Sequence, residues 1–230
     1  MPRMTSPKRS PVHVQGHLDL QVSRWLWLVK WLLVVPHLVV LALLWIGFVV
    51  LSLFALVAIL VNRRYPRWIY DFNLGVLRWT WRVSFYSYSA LGTDRYPPFT
   101  LGEEPDYPAR LSITYPGELS RVKALTKWWL LAIPQYAVIG VFSGGWGAQL
   151  WGPGLIGLLV LFAGVAMLFG RPYPAGIFEF VMGMNRWIFR VLAYAALLTD
   201  EYPPFRLDMG ATERGSALAT APLMSPLADA

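Results

Sequence analysis

Two carboxylates and four arginines recur at matched spacing, and they are the residues of this chain best placed to do chemistry. Asp71, Gly75, Arg78 and Arg82 stand at intervals of four, three and four. Glu179, Gly183, Arg186 and Arg190 repeat the same intervals. At about 100° per residue each set makes one narrow stripe on a helix. A carboxylate and two guanidiniums on an otherwise apolar helix have three uses. They can line an ion or proton path, clamp a lipid phosphate through the bidentate arginine fork, or close into salt bridges that fix helix packing. The packing network is the preferred reading of the three.

Other chemistry is absent from the sequence. There is no cysteine, hence no disulfide, thiolate nucleophile or Cys-based metal site. Gly-x-Ser-x-Gly, a phosphate-binding glycine loop and His-Glu-x-x-His are all missing. His13 and His17 have the spacing of a helical metal pair, but Gly16 and polar neighbours argue against a helix there. His37 follows a proline at a membrane boundary, where one hydrogen bond explains it. The expectation is a non-enzymatic protein with no catalytic residue, metal or cofactor.

The elements that must position the stripes come in two copies. Tyr65 and Tyr173 stand 108 positions apart, as do Arg82 and Arg190. Each copy closes on a tag, Thr93-Asp94-Arg95-Tyr96-Pro97-Pro98-Phe99 and Thr199-Asp200-Glu201-Tyr202-Pro203-Pro204-Phe205, now 106 apart. The prolines of the tags predict a helix stop and an extended exit. Upstream, Trp31 to Pro36 matches Trp129 to Pro134. Duplication on this scale sets the architecture.

Composition points to a membrane. Charged residues are 14% of the chain, against about 25% in soluble domains. Trp31 to Val61 carries no charge, a run longer than the roughly 20 residues that cross a bilayer. Pro36 predicts a split there, into an interfacial lead-in with Arg24 and Lys30 and a span from His37 to Val61. The second copy is uncharged from Trp128 to Phe169, broken by a glycine-rich insert at Ser143 to Gly154 that reads as a turn outside the membrane, in preference to a re-entrant bend facing a partner. The net charge of +7 fits anionic headgroups better than nucleic acid, because the basic residues flank apolar runs. Arg63, Arg64, Arg67 and Arg171 are candidate headgroup contacts. Arg63, Arg64 and Arg67 oppose Lys8, Arg9, Arg24 and Lys30 across the first span, so the positive-inside count conflicts with itself. Short alternating segments at Leu18 to Val22 and at Leu111 and Ile113 read as extended lead-ins.

The Lys30-to-His37 run, the Arg64-Tyr65-Pro66-Arg67 turn, Leu77-Arg78-Trp79 and the Thr93–Phe99 tag together resemble a bacterial membrane family, domain of unknown function 4389. The second copy resembles it through Tyr107 to Leu111, Met184 to Trp187 and the tag at Thr199. Gln135 stands where the first copy has His37, and Ala175 where it has the second basic residue of the turn. The resemblance implies an integral membrane protein in tandem copies and implies no activity.

The expected fold is an all-α integral membrane protein of two tandem helical hairpins, related by pseudo-two-fold or parallel-repeat symmetry, each a kinked spanning helix followed by an amphipathic one that is inserted at a shallow tilt or lies at the interface. The divisions are a polar, largely disordered leader (1–23), a first repeat (24–101), a linker (102–119), a second repeat (120–207) and a disordered tail (208–230). As hairpins, both copies would leave the termini and linker on one side, taken as cytoplasmic, of the inner (plasma) membrane. The expected role is an accessory or scaffold protein that packs on a membrane complex or organises lipid. A small transporter component and an interfacial anionic-lipid binder are the alternatives. Expected partners are the bilayer, with anionic headgroups, and a larger membrane complex or further copies of itself, with no nucleic acid.

Overall fold

The computed structural model describes residues 10–19, 22–144 and 154–212. The chain is mostly helical. β1 (Val12–Gly16) is followed by α1 (Trp27–Asn62) and α2 (Arg67–Tyr86), which pack as an antiparallel pair. The second copy repeats this with β2 (Ala109–Ile113), α3 (Arg121–Thr126), a π-helical turn (Lys127–Leu131), α4 (Ile133–Ser143), α5 (Leu155–Leu168) and α6 (Ala175–Ala195).

The all-α expectation is corrected by a two-stranded antiparallel sheet. β1 pairs with β2 so that Val14 faces Leu111, with Val12 opposite Ile113 and Gly16 opposite Ala109. Val14 and Leu111 are equivalent positions, since both lie 16 residues before the copies' matching Lys30 and Lys127. Equivalent residues that face each other mark a two-fold axis through the sheet. β1 lies inside the leader and upstream of Leu18 to Val22, so that part of the leader is ordered. Residues 1–9, 20 and 21 of the leader, and 213–230 of the tail, lie outside the described residues. The start of the tail is fixed, for Gly16 donates its N–H to the Ala211 carbonyl at 3.2 Å.

Pro36 does not split the first apolar run. α1 is one continuous helix of 36 residues, about 54 Å long at 1.5 Å per residue. Proline removes one donor and disturbs the carbonyls of the preceding turn. Here the Tyr96 hydroxyl of the tag donates to the Leu33 carbonyl at 3.1 Å, so that turn gains an outside partner.

The second copy solves two length changes. From Lys30 to Pro36 is six positions, but from Lys127 to Pro134 is seven. The π-turn sits on that extra residue, and a π-turn absorbs one residue without shifting the helix on either side of it. Downstream, Gly154 abuts the backbone of Ser143 and Gly144. α4 and α5 together therefore stand for α1, interrupted by an insertion. Residues 145–153 of the glycine-rich insert lie outside the described residues.

Three layers result. The inner face of the sheet (Val12, Val14, Ala109, Leu111, Ile113) is buried, and Arg110 on its outer face is exposed. α2 lies beneath it: Tyr70 and Trp81 donate to the Ile113 and Gln15 carbonyls at 2.6 and 2.9 Å. The adjoining face of α2 meets α1, where Trp45 donates to Thr80 at 3.2 Å and Asn73 donates to Ser52 at 3.1 Å. α6 takes the same middle place in the second copy, and Trp81 and Phe189, equivalent residues, meet edge to face at 5.3 Å. α1 and α3–α5 form the outer layer. Leu, Ile, Val and Phe are exposed along the whole of α1, including Leu38, Ile46, Phe54 and Val61.

The axis makes the copies run in opposite directions. Tyr65, just before α2, donates to the Ala196 carbonyl just after α6, at 3.3 Å. Tyr173, just before α6, donates to the Ala90 carbonyl just after α2, at 2.9 Å. The linker consequently starts at one end of the helices and finishes at the other, where Leu119 donates its N–H to the Arg63 carbonyl at 2.8 Å. The copies therefore start at opposite ends of the helices, where two hairpins standing side by side would start at the same end.

Candidate functional site

The four stripe arginines point into the protein. Arg78 Nε donates to the Leu111 carbonyl at 3.1 Å and its Nη2 pairs with Glu103. Arg186 Nε donates to the Val14 carbonyl at 2.8 Å, and its Nη1 to the Asp208 carbonyl at 2.5 Å. The exchange is crossed: each copy's arginine holds the strand that leads into the other copy. Arg82 donates to the Gly102 carbonyl at 3.0 Å and to the Thr100 carbonyl. Arg190 pairs with the Asp208 carboxylate at 2.6 Å. These are charge-assisted hydrogen bonds, which are shorter and stronger than neutral ones.

The stripe carboxylates behave differently. Asp71 and Glu179 are exposed, and the carboxylates that meet the arginines are Glu103 and Asp208, from segments after the tags. The helical spacing that aligned Asp71 with Arg78 is real, but its acidic end lies at the surface. The glycine of each stripe has its own reason. A Cβ on Gly75 would stand 2.8 Å from the Leu101 side chain and 3.0 Å from its carbonyl, so the returning chain needs glycine there. At Gly183 the nearest atoms are 3.5 Å away.

Two buried lysines form a second repeated lattice, of which only Lys30 stood out in the sequence, as part of an interfacial lead-in. Lys30 Nζ donates to the Thr93 carbonyl at 2.6 Å and pairs with Asp94 at 2.9 Å. Lys127 Nζ donates to the Thr199 carbonyl at 2.8 Å and pairs with Asp200 at 3.0 Å. Each ammonium lies over a tyrosine ring, Tyr86 at 4.6 Å and Tyr194 at 5.2 Å. The other oxygen of each aspartate accepts a backbone N–H just before the first helix of its own copy, from Ser23 at 2.5 Å and Ser120 at 2.7 Å. The tags are clasps between helices as well as stops. The available signal was the paired recurrence of Lys30 with Asp94 and Lys127 with Asp200.

His37 and Gln135, unlike in type, do the same work. Trp79 donates its indole N–H to His37 Nδ1 at 3.1 Å, and Trp187 donates to Gln135 Oε1 at 2.6 Å. Gln135 adds a donation to the Pro203 carbonyl at 3.1 Å, while His37 stacks on Phe99 with centroids 4.0 Å apart. The substitution preserves an acceptor for a buried indole.

The headgroup candidates lie at the two ends of the helices. Arg63, Arg64 and Arg67 are exposed at the α1–α2 turn, with the Arg67 guanidinium 3.8 Å over the Tyr115 ring. Arg171 is exposed at the opposite end, between α5 and α6. Among the described residues no three metal-ligating side chains cluster, and His13 sits in β1, where the spacing to His17 is not helical. Burial pushes the Tyr65 hydroxyl up to about 12, against hydrogen bonds from Asn73 and Ser52, and raises Tyr173 as well.

The fold and its lattices define a duplicated helical protein whose repeated charges hold its own backbone together. The family model for the domain of unknown function DUF4389 matches residues 24–100 and 123–206, and the chain belongs to that family as two tandem copies. No curated protein and no solved structure matches the chain.

Proposed function

We propose that this is a non-enzymatic membrane protein, an accessory or scaffold that packs on a membrane complex or organises lipid. The observation that carries the reading is the division of labour between layers. Among the described residues one helix, α1, is long and apolar enough to enter a membrane and buries little of its surface within the protein. The repeated cations meanwhile are occupied by backbone carbonyls and carboxylates of the same chain. A transport path needs charged groups exchanging partners with a solute, and a catalytic site needs a free nucleophile or base. Internal occupancy of Arg78, Arg82 and Lys30 favours neither.

The testing experiment is affinity purification of the tagged native protein in mild detergent, with mass spectrometry of what accompanies it. A stoichiometric membrane partner supports the accessory role, and lipid alone supports lipid organisation. Recovery of the chain from the aqueous fraction without detergent would overturn both. For the transporter alternative, Asp71→Asn in reconstituted vesicles should leave solute flux at the level of empty liposomes, as wild type does.

A further inference from the structure

We infer that the helical layer lies in the plane of one leaflet rather than across the bilayer, with the sheet and both ends of the helices on one aqueous side. This rests on the membrane reading above and adds its geometry. Three observations carry it.

First, polarity divides across the layers and not along the helices. Tyr70 and Trp81, which meet the sheet, lie on the face of α2 roughly opposite Trp79, which meets His37 of α1, so α2 separates the two. On the far side of α1 the exposed residues are apolar from Leu28 through Val61. On the sheet side Glu103, Asp106 and Arg110 are exposed. A spanning protein needs an apolar girdle around its whole circumference, which the sheet side cannot supply.

Second, the linker runs beside α2 from one end of the helices to the other. Gly92 accepts from Asp19 N–H at 2.9 Å at one end, and Ser120 meets Asp200 at the other. Spanning helices would draw Glu103, Asp106 and Arg110 through hydrocarbon. Charged residues there cost roughly 2.5–3.5 kcal/mol each even on permissive scales. Nor does the length fit, since α1 at about 54 Å far exceeds a hydrocarbon core of about 30 Å.

Third, exposed cations flank the apolar layer at both of its ends: Arg24 and Arg171 at one, Arg63, Arg64, Arg121 and Lys123 at the other. In a spanning protein these put positive charge on both sides of the bilayer. In a layer lying flat they share one anionic headgroup plane. The exposed Trp25 and Trp68 rings suit the same depth.

The native chain has no cysteine, so single cysteines can be read without background. Gly176→Cys marks one end of the helices, Glu118→Cys the other and Asp106→Cys the sheet side; all three native residues are exposed. Each variant is labelled with a membrane-impermeant maleimide in right-side-out and in inverted vesicles, after an alkaline wash shows that the protein stays with the membrane. All three should label from the same side and be lost from the other. Labelling of Gly176→Cys and Glu118→Cys from opposite sides would overturn the in-plane placement while leaving the membrane reading intact. Release by the alkaline wash, with the apolar layers of two copies packed together in solution, would overturn both.

Discussion

Arg186 and Arg78 occupy equivalent positions, yet they should differ in their contribution to stability. Arg186 is fully buried and holds two backbone carbonyls, while the Arg78 side chain is 18% exposed and its carboxylate partner lies in water. Removing a buried charged donor leaves carbonyls unsatisfied at about 1–3 kcal/mol each. Thermal denaturation in detergent should therefore show Arg186→Leu costing several times what Arg78→Leu costs. Equal losses would count against the crossed strand contacts. The two stripe glycines should separate as well. Gly75→Ala should cost about 1–3 kcal/mol by overpacking against Leu101, and Gly183→Ala, with 3.5 Å of space, should cost little. Tyr65 carries a pH prediction. Its pKa is raised from 10.0 to about 12, so its contribution is full below pH 10 and is lost as pH rises towards 12. Urea unfolding across that window should fall more gently in Tyr65→Phe than in wild type.

At the scale of the element, the repeated helix tolerates length changes only where the backbone absorbs them. Deleting Trp128 should convert the π-turn to regular helix, leaving Lys127 on Asp200 and Gln135 under Trp187. Deleting Leu32 from α1 should rotate Lys30 against His37 by about 100°, so that Asp94 and Trp79 cannot both be met. Circular dichroism and size exclusion should show a folded protein in the first case and loss of folded material in the second. The same contrast explains what the sequence disclosed. The helices and the duplication were legible because hydrophobic runs and matched tags are local signals. The stripe was legible as a helical face, but not its acidic partners, because Glu103 and Asp208 come from loops that fold back after the tags. Lys30 looked interfacial because nothing local ties it to Asp94, 64 positions away. The sheet was hidden for the same reason: Val12–Gly16 is five residues long, and its partner lies at Ala109–Ile113.

For the whole molecule, the antiparallel relation of the copies changes what the apolar runs mean. Two hydrophobic stretches in tandem suggest two hairpins inserted side by side. The crossed bonds of Tyr65 and Tyr173 instead turn the copies head to tail, and the linker must then travel the length of α2. The outcome is a protein with one polar broad face and one apolar broad face. On the proposed reading that apolar face is covered by a bilayer, and the crossed arginines, Arg78 and Arg186, keep the two copies in register. The most direct measurement is flotation of the purified full-length chain with liposomes on a density gradient, in the presence and absence of anionic lipid. Wild type should rise with the vesicles even after an alkaline wash, and a variant with Ile46, Phe54 and Val57 changed to Glu should stay at the bottom while keeping its helical circular dichroism. A wild-type chain that stays at the bottom as a folded, soluble species would contradict the account.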